Sequence, residues 1–283
     1  MDNLADEQVN EIIDLALAED TGGGDITSRI LVSPELVSRA SIVAKEAGVL
    51  AGADTARRVF LRVAPSLDVE LLIADGRRLV PGDVVATITG GVAAILKAER
   101  VALNFLGRLS GVASATAAFV DRVKGLPVAI TDTRKTSPGL RYLDKYAVRV
   151  GGGQNHRFSL GDGILVKDNH IAALRARGLA LKDIVARAKK GASEGSRVEV
   201  EVSTVAEAVE AARAGADVVM LDNMGVKEIR QAVSAIPEGV RTEASGGIGP
   251  DNVRAVALAG VDFISVGAIT HSAKALDFSL RLE

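Results

Sequence analysis

Residues 197–222 read RVEVEVSTVAEAVEAARAGADVVMLD, and this stretch decides the fold. Val198, Val200 and Val202 alternate with Glu199 and Glu201, the period-two pattern of a strand with two unlike faces. Residues 204–214 then carry apolar side chains at helical spacing, and 217–221 form a short β-branched run of the kind found in buried strands. Strand, helix and strand in so short a span make one βα unit and the start of the next.

Outward from this unit the pattern repeats. Strand-like runs stand at 128–131, 164–166, 241–244 and 263–266, with starts roughly 20 to 35 residues apart along the second half of the chain. Such a repeat predicts a parallel sheet, either doubly wound or closed toward a barrel. Several runs end in polar residues: Lys167-Asp168, Glu201, Asp222-Asn223 and Ser245-Gly246-Gly247. In a (β/α) barrel, polar residues at the C-terminal strand ends line the active-site mouth, which favours the barrel. Six strands fall short of a full barrel of eight.

The first hundred residues follow another rule. A helical pattern at 9–18 precedes extended segments at 40–45, 69–73 and 83–89, with turn signals at Asp75-Gly76 and Pro81-Gly82. These predict a small α/β domain with antiparallel hairpins. Residues 93–124 read as helices linking the halves, interrupted at Gly107 and Gly111. The expected organisation is therefore an N-terminal α/β sandwich-like domain over 1–111 and an open, incomplete (β/α) barrel over 112–272.

Composition narrows the function. The 283 residues are 48% apolar, carry a formal charge of -2 and contain no cysteine, which excludes disulfides, thiolate metal sites and a cysteine nucleophile and suits a reducing cytoplasm. The opening Met1-Asp2-Asn3-Leu4-Ala5-Asp6-Glu7 is acidic where a secretory signal is basic, and no uncharged apolar run approaches membrane-spanning length. With 3% aromatics and no broad basic excess, neither nucleic acid nor membrane is an expected partner. Within residues 132–170, however, seven Lys or Arg face four Asp. A local excess of positive charge in a net-acidic chain asks for a small anion.

Three strings carry that excess: Asp132-Thr133-Arg134-Lys135-Thr136, Gly151 to Arg157 (GGGQNHR) and Val166-Lys167-Asp168-Asn169-His170. Arg134 and Arg157 offer planar forks suited to carboxylate or phosphate, and Lys135 and Lys167 supply mobile point charges. His156 beside Arg157 leans toward ligand binding, while His170 reads equally well as the start of a helix. Glu201 and Asp222, at the ends of neighbouring strands, suit Mg²⁺ or ribose hydroxyls, with Glu199 as a structural partner lower in the barrel. Ser245-Gly246-Gly247 and Gly267-Ala268 follow the last two strands, where backbone N–H groups frequently hold phosphate.

In this order, DTRKTSPGLRYLDKYAVRVGGGQNHR, ILVKDNHI, VEVEV, MLDNM, EASGGI and ISVGAITHS resemble the quinolinate phosphoribosyltransferase family, as do EDTGGGDIT at 19–27 and ERVALNFLGRLSG at 99–111. The resemblance covers nearly the whole chain. It implies a decarboxylating transferase making nicotinate mononucleotide, pyrophosphate and CO₂ from quinolinate and phosphoribosyl pyrophosphate with Mg²⁺, for NAD biosynthesis. It implies a last helix, about 273–283, that returns to the N-terminal domain, and a homodimer whose sites are each completed by Arg100 of the second subunit. By the same resemblance Arg134, His156, Arg157 and Lys167 surround the quinolinate carboxylates, with Thr133 also at the substrate. Lys135 and Lys167 approach the pyrophosphate, Glu201 and Asp222 hold ribose or metal, and Ser245, Gly246, Gly247, Gly267 and Ala268 take the 5-phosphate. The rival readings are a molybdenum-associated ModD-like paralogue, another pyridine phosphoribosyltransferase, and a non-catalytic phosphate-binding barrel.

Overall fold

All six strands expected in the second half form, and they pair in the cyclic order that a barrel requires. The computed structural model describes residues 3–283, with side chains from residue 7 onward; Met1 and Asp2 of the acidic opening lie outside it. By internal contacts the chain divides into two units that interleave in sequence. The first comprises the described residues up to Ala117 with Thr136–Gly152 and Ile269–Glu283, and the second comprises Ala118–Lys135 and Gly153–Ala268.

In the first unit, strands β1 (Val37–Ala44), β2 (Gly48–Val49), β3 (Asp68–Leu71), β4 (Arg78–Leu79) and β5 (Val84–Gly91) are all antiparallel in their pairings. Apolar alternation puts Ala40, Ile42 and Ala86 in the core, and helix Ala53–Val63 adds Ala56, Val59 and Phe60 from its apolar stripe. Residues 136–152, expected within the barrel, belong here instead. Tyr146 Oη donates to Asp75 at 2.6 Å, and Arg108 makes a two-pronged bond to the fully buried Asp144, at 3.1 and 2.9 Å.

Two further expectations fail in this unit, each for a physical reason. The end of the chain is not a helix: Phe278–Leu282 is a strand, antiparallel to β1 with Ala44 opposite Phe278 and Ala40 opposite Leu282. Its sequence Phe-Ser-Leu-Arg-Leu alternates with period two, which outweighs the helix that the family resemblance implied. The linking segment is also unbroken, since Val92–Arg122 is one helix of 31 residues running through both glycines. Gly107 and Gly111 are there for close approach. A Cβ on Gly107 would stand 2.8 Å from the Leu276 carbonyl oxygen, and one on Gly111 would overlap that of Lys274. Leu276 N–H donates to Gly107 O at 3.0 Å, so the helix backbone itself receives the chain leading to the last strand.

The second unit holds β6 (Ala129–Thr131), β7 (Ile164–Val166), β8 (Val198–Val202), β9 (Val218–Asp222), β10 (Arg241–Ser245) and β11 (Phe263–Ser265). All pair in parallel, in the order β6-β11-β10-β9-β8-β7. The first strand thus follows the last, while β6 and β7 remain edges, so the sheet is an open, incomplete barrel. On the free side of β6 stands one bridge residue, Gln154, opposite Thr131. The helix after β8 (Val205–Arg213) starts where Thr204 Oγ1 accepts the Glu207 N–H at 3.2 Å, and it buries Ala208, Ala211 and Ala212. Small side chains on that face bring the helix close to Val198, Val200 and Val202, which are buried.

The glycine contacts carry a prediction. Gly111→Ala forces a methyl into the Lys274 carbonyl and costs about 1–3 kcal/mol, the usual penalty of overpacking. Gly191→Ala, at a position with open space around it, leaves stability unchanged or slightly raised. Calorimetric melting of the two variants checks both, and equal melting temperatures would refute the close-approach reading.

Candidate active site

Strand alternation fixes which side chains face into the barrel once one is known. On β8 the valines lie on the helix side, so Glu199 and Glu201 point inward. Parallel register then carries the inward set around the sheet: Met220 beside Glu201, Glu243 beside Met220, Phe263 beside Glu243, and Ala129 beside Phe263. One layer nearer the C-terminal ends, Asp222 stands beside Ser245 and Ser265 beside Thr131. Lys167 continues its strand beyond this layer with extended backbone, while Thr133 and Gly267 lie in the loops just past the ends of theirs. Thus Lys167, Glu201, Asp222 and Ser245 share the mouth because of period two and one strand direction, and Thr133 and Gly267 stand in loops at the same strand ends.

At the mouth, Glu201 is half-buried and its carboxyl is pushed above the ordinary range, first by burial and then by the charge of Asp222, with Lys167 pulling the other way. Asn223 Nδ2 donates to Asp222 Oδ2 at 2.6 Å. Asn223 has φ 53°, the one positive value outside glycine among the described residues, and such strain marks functional sites. Its N–H donates to Ser245 O at 2.9 Å, and its side chain occupies the space that a Cβ on Gly246 would need. Gly246, at φ +85°, is therefore demanded twice, by its backbone angle and by Asn223. Gly247 follows, also at positive φ, with nothing within 4 Å of its missing Cβ.

The cations divide. Arg141, Lys145 and Arg149 belong to helix Arg141–Val150 of the first unit, which leaves Arg134, Lys135, Arg157 and Lys167 to the barrel. Arg157 donates from Nη1 to Gly163 O at 3.1 Å, while its buried Nε has no hydrogen-bond partner. Burial holds this guanidinium below the usual arginine range; Glu199 opposes that shift and the like charge of Arg134 adds to it. Adjacent cations with an unmet buried donor form a site for an anion with more than one oxygen. Thr133 Oγ1 accepts the Lys135 N–H at 3.0 Å and shapes the loop that carries Arg134 and Lys135. The Lys167 N–H donates to His170 Nδ1 at 3.0 Å, so His170 caps helix Asp168–Arg175. Gly267 and Ala268 lead into the single turn Ala268–His271. Arg100 lies in the first unit, exposed on its long helix and 4.0 Å from Glu99.

The His156 ring is directed into the barrel interior. Nε2 lies 3.0 Å from Glu199 Oε2 and 3.5 Å from Glu243 Oε2, and Nδ1 accepts the Arg157 N–H at 2.7 Å. His, Glu and Glu have the composition of a metal site. In the neutral ring, the form that binds a metal, Nδ1 accepts the Arg157 amide, so Nε2 carries the proton and donates it to the carboxylates, which disfavours a metal there. Asp132, fully buried, accepts from Asn155 Nδ2 at 2.6 Å and from the His156 N–H at 2.8 Å. A cavity of about 550 Å³, lined by Thr131, His156, Arg157, Phe158, Glu199 and Glu243 among others, opens beside this cluster.

Comparison with known proteins gives one answer across the chain. Residues 25–110 match the family model "Quinolinate phosphoribosyl transferase, N-terminal domain", and residues 112–281 match its C-terminal counterpart. The chain belongs to the quinolinate phosphoribosyltransferase family. A Bacillus subtilis member, named a probable nicotinate-nucleotide pyrophosphorylase (carboxylating), is 42% identical over 96% of this chain and 93% of its own. A Nicotiana glauca member, named quinolinate phosphoribosyltransferase (decarboxylating) 1, is 40% identical over 96% of this chain and 81% of its own. The crystal structure of NadC from Streptococcus pyogenes, 43% identical, superposes with a TM-score of 0.92 over 98% of this chain and 97% of that one. Glu243, Asn223 and Asp132 have no role that the sequence alone assigns, although Glu243 carries a signal: it stands two residues before Ser245 and so shares its face.

Burial and the neighbouring Glu199 charge push Glu243 up from 4.5 to about 7, against the pull of His156. The folded chain therefore keeps a proton there that the unfolded chain has already released, so stability present below pH 4.5 is lost as pH rises through about 7. His156 contributes with the same sign. Burial opposes its charge, but the bond to Glu199 and the charge of Glu243 outweigh this and raise it, so its contribution also fades as pH rises. Glu243→Gln should flatten the fall in melting temperature between about pH 5 and 8 and raise the value at the upper end by a few degrees, as fluorescence-monitored melting would reveal. An unchanged slope would exclude the assignment.

Proposed function

We infer that the chain is a decarboxylating quinolinate phosphoribosyltransferase, joining quinolinate to phosphoribosyl pyrophosphate and releasing nicotinate mononucleotide, pyrophosphate and CO₂ in NAD biosynthesis. The observation that carries this reading, beside family membership, is the half-buried Arg157, with a buried and unmet Nε donor, in the same barrel as the Glu201–Asp222 pair. One group suits a dicarboxylate and the other suits a polyhydroxylated, cation-bearing sugar phosphate. A non-catalytic phosphate-binding barrel would have no use for two carboxylates that repel each other.

In this reading Arg134, Arg157 and Lys167, with Thr133, receive the quinolinate carboxylates. His156 is left out of the contact set, since both ring nitrogens are taken by the protein. Lys135 and Lys167 approach the pyrophosphate, and the Ser245-Gly246-Gly247 and Gly267-Ala268 backbones receive the 5-phosphate. Glu201 and Asp222 hold the ribose hydroxyls and fit Mg²⁺, whose hard charge relieves their repulsion. Bound with the sugar pyrophosphate, Mg²⁺ would neutralise charge on the departing pyrophosphate. The pyridine nitrogen forms a bond to ribose C1 as the C1–oxygen bond to pyrophosphate breaks. The residues' part is positional and electrostatic: they hold nitrogen and C1 in line and place carboxylate charge near the electron-poor sugar carbon. The nitrogen, now quaternary, draws off the electron pair left when the adjacent carboxylate departs as CO₂, and a proton then takes its place on the ring. The ring nitrogen attacks with its own lone pair, so no general base is needed at that step.

A homodimer with shared sites is part of the proposal. Ile26, Ile30 and Leu31 expose a row of apolar side chains in the first unit, 57%, 70% and 76% accessible, as surfaces that receive another subunit do. Arg100, exposed on the same unit, would complete the carboxylate pocket of the second copy. Among the described residues no helix is long and apolar enough to cross a membrane. The cysteine-free composition suits the cytoplasm.

Purified protein given quinolinate, phosphoribosyl pyrophosphate and Mg²⁺ should form nicotinate mononucleotide with matching CO₂, whereas nicotinate in place of quinolinate should give little product. Absence of product from quinolinate would end this reading. Arg100→Ala and Arg134→Ala should each be inactive alone. Unfolded and refolded together, they should recover about a quarter of wild-type activity, because half the dimers are mixed and each mixed dimer has one intact site. No recovery would mean that Arg100 does not act across subunits.

A further inference from the structure

The wall of the barrel is missing between β6 and β7, and residues 154–157 stand in that gap. Backbone pairing holds the first of them: Gln154 N–H donates to Ile130 O at 2.8 Å, and its carbonyl accepts the Asp132 N–H at 3.1 Å. The bridge ends there, and side chains take over. Asp132 binds Asn155 and the His156 N–H from below, and the His156 ring spans the lumen to Glu199 on β8 and Glu243 on β10. The same ring accepts the Arg157 N–H at 2.7 Å. The imidazole is thus a strut whose one end rests on two carboxylates and whose other end sets the backbone of Arg157.

Packing alone does not account for these carboxylates. Glu199 and Glu243 are 6% and 2% exposed, and the second oxygen of each, Oε1, has no hydrogen-bond partner. Burying two such groups is costly, and apolar residues of similar volume would fill the lumen at equal or better stability. What they provide that apolar residues cannot is an acceptor for His156 Nε2, which fixes the ring and therefore the amide of Arg157. We propose that Glu199 and Glu243 are positioning residues for substrate recognition, aiming the Arg157 guanidinium at the quinolinate carboxylate through His156. This rests on the reading that Arg157 binds that carboxylate.

The experiment separates the two claims. Arg157→Lys tests the underlying reading and should raise KM for quinolinate by about a hundredfold, as loss of a two-pronged guanidinium–carboxylate bond does. Glu199→Ala and Glu243→Ala should each raise KM for quinolinate about tenfold while KM for phosphoribosyl pyrophosphate stays within about twofold. Glu199→Gln keeps an oxygen for the Nε2 proton and should recover most of the loss. Because the alanine variants leave a buried donor unmet and could fold poorly, an apolar replacement of the whole strut, His156→Phe with Glu199→Met and Glu243→Met, provides a second arm. It should melt at or above the wild-type temperature and still show the raised quinolinate KM. If Arg157→Lys raises that KM but the alanine variants, or in their place the apolar strut, leave it at the wild-type value, the strut is only packing and the proposal falls. If Arg157→Lys itself leaves KM unchanged, the reading of Arg157 falls instead.

Discussion

The pairing of β11 with β6 is the constraint on which the rest of the barrel depends. It brings the first strand of the second unit beside the last, so that six parallel strands share one direction around a common lumen. Direction puts all their C-terminal ends at one rim, and alternation puts every second residue inside. Charges that lie far apart in sequence, at Lys167, Glu201 and Asp222, are then forced into one place. The sheet stops two strands short of the usual eight, so its edges do not meet, and lumen side chains have to do what a missing strand would do with its backbone.

Strand and helix periods make much of this legible in the amino-acid order itself. The runs around Ile164, Val200, Val219 and Ile264 are too short and too β-branched to be anything else, and their polar ends locate the mouth. Misreading enters where two physical causes share one sequence sign. Glycine breaks helices and also lets backbones touch, and at Gly107 and Gly111 the second cause is at work, against a segment more than 160 residues away that no local pattern announces. The Phe278–Leu282 alternation is a true local signal, but five residues at a chain end weigh little beside a resemblance that spans the whole chain.

At the site, position along a strand can be read and the direction of a side chain's bonds cannot. His156 beside Arg157 looks like a second cation for the ligand, and only the distances to Glu199 and Glu243 reveal that its ring is turned inward. Asp132 poses the same difficulty: close to Arg134 in sequence, it is a buried acceptor for the 155–156 backbone and side chain. Both residues shape the pocket by holding the chain that forms it. Residues of that kind are chemically identical to ligands in a sequence and differ from them only in geometry.

The strand Phe278–Leu282 sets an order of events during synthesis. It lies at the edge of a sheet whose other members, β1, β5 and β3, leave the ribosome before any of the barrel exists. Until the last residues emerge, β1 keeps an open edge, and Gly107 and Gly111 lack the segment they are shaped to receive. The first unit therefore stays incomplete, with exposed pairing groups, for as long as the barrel takes to be made, and long-range closure of this sort is slow and prone to misassociation. Chaperone dependence during translation would thus follow from where one five-residue strand falls in the gene.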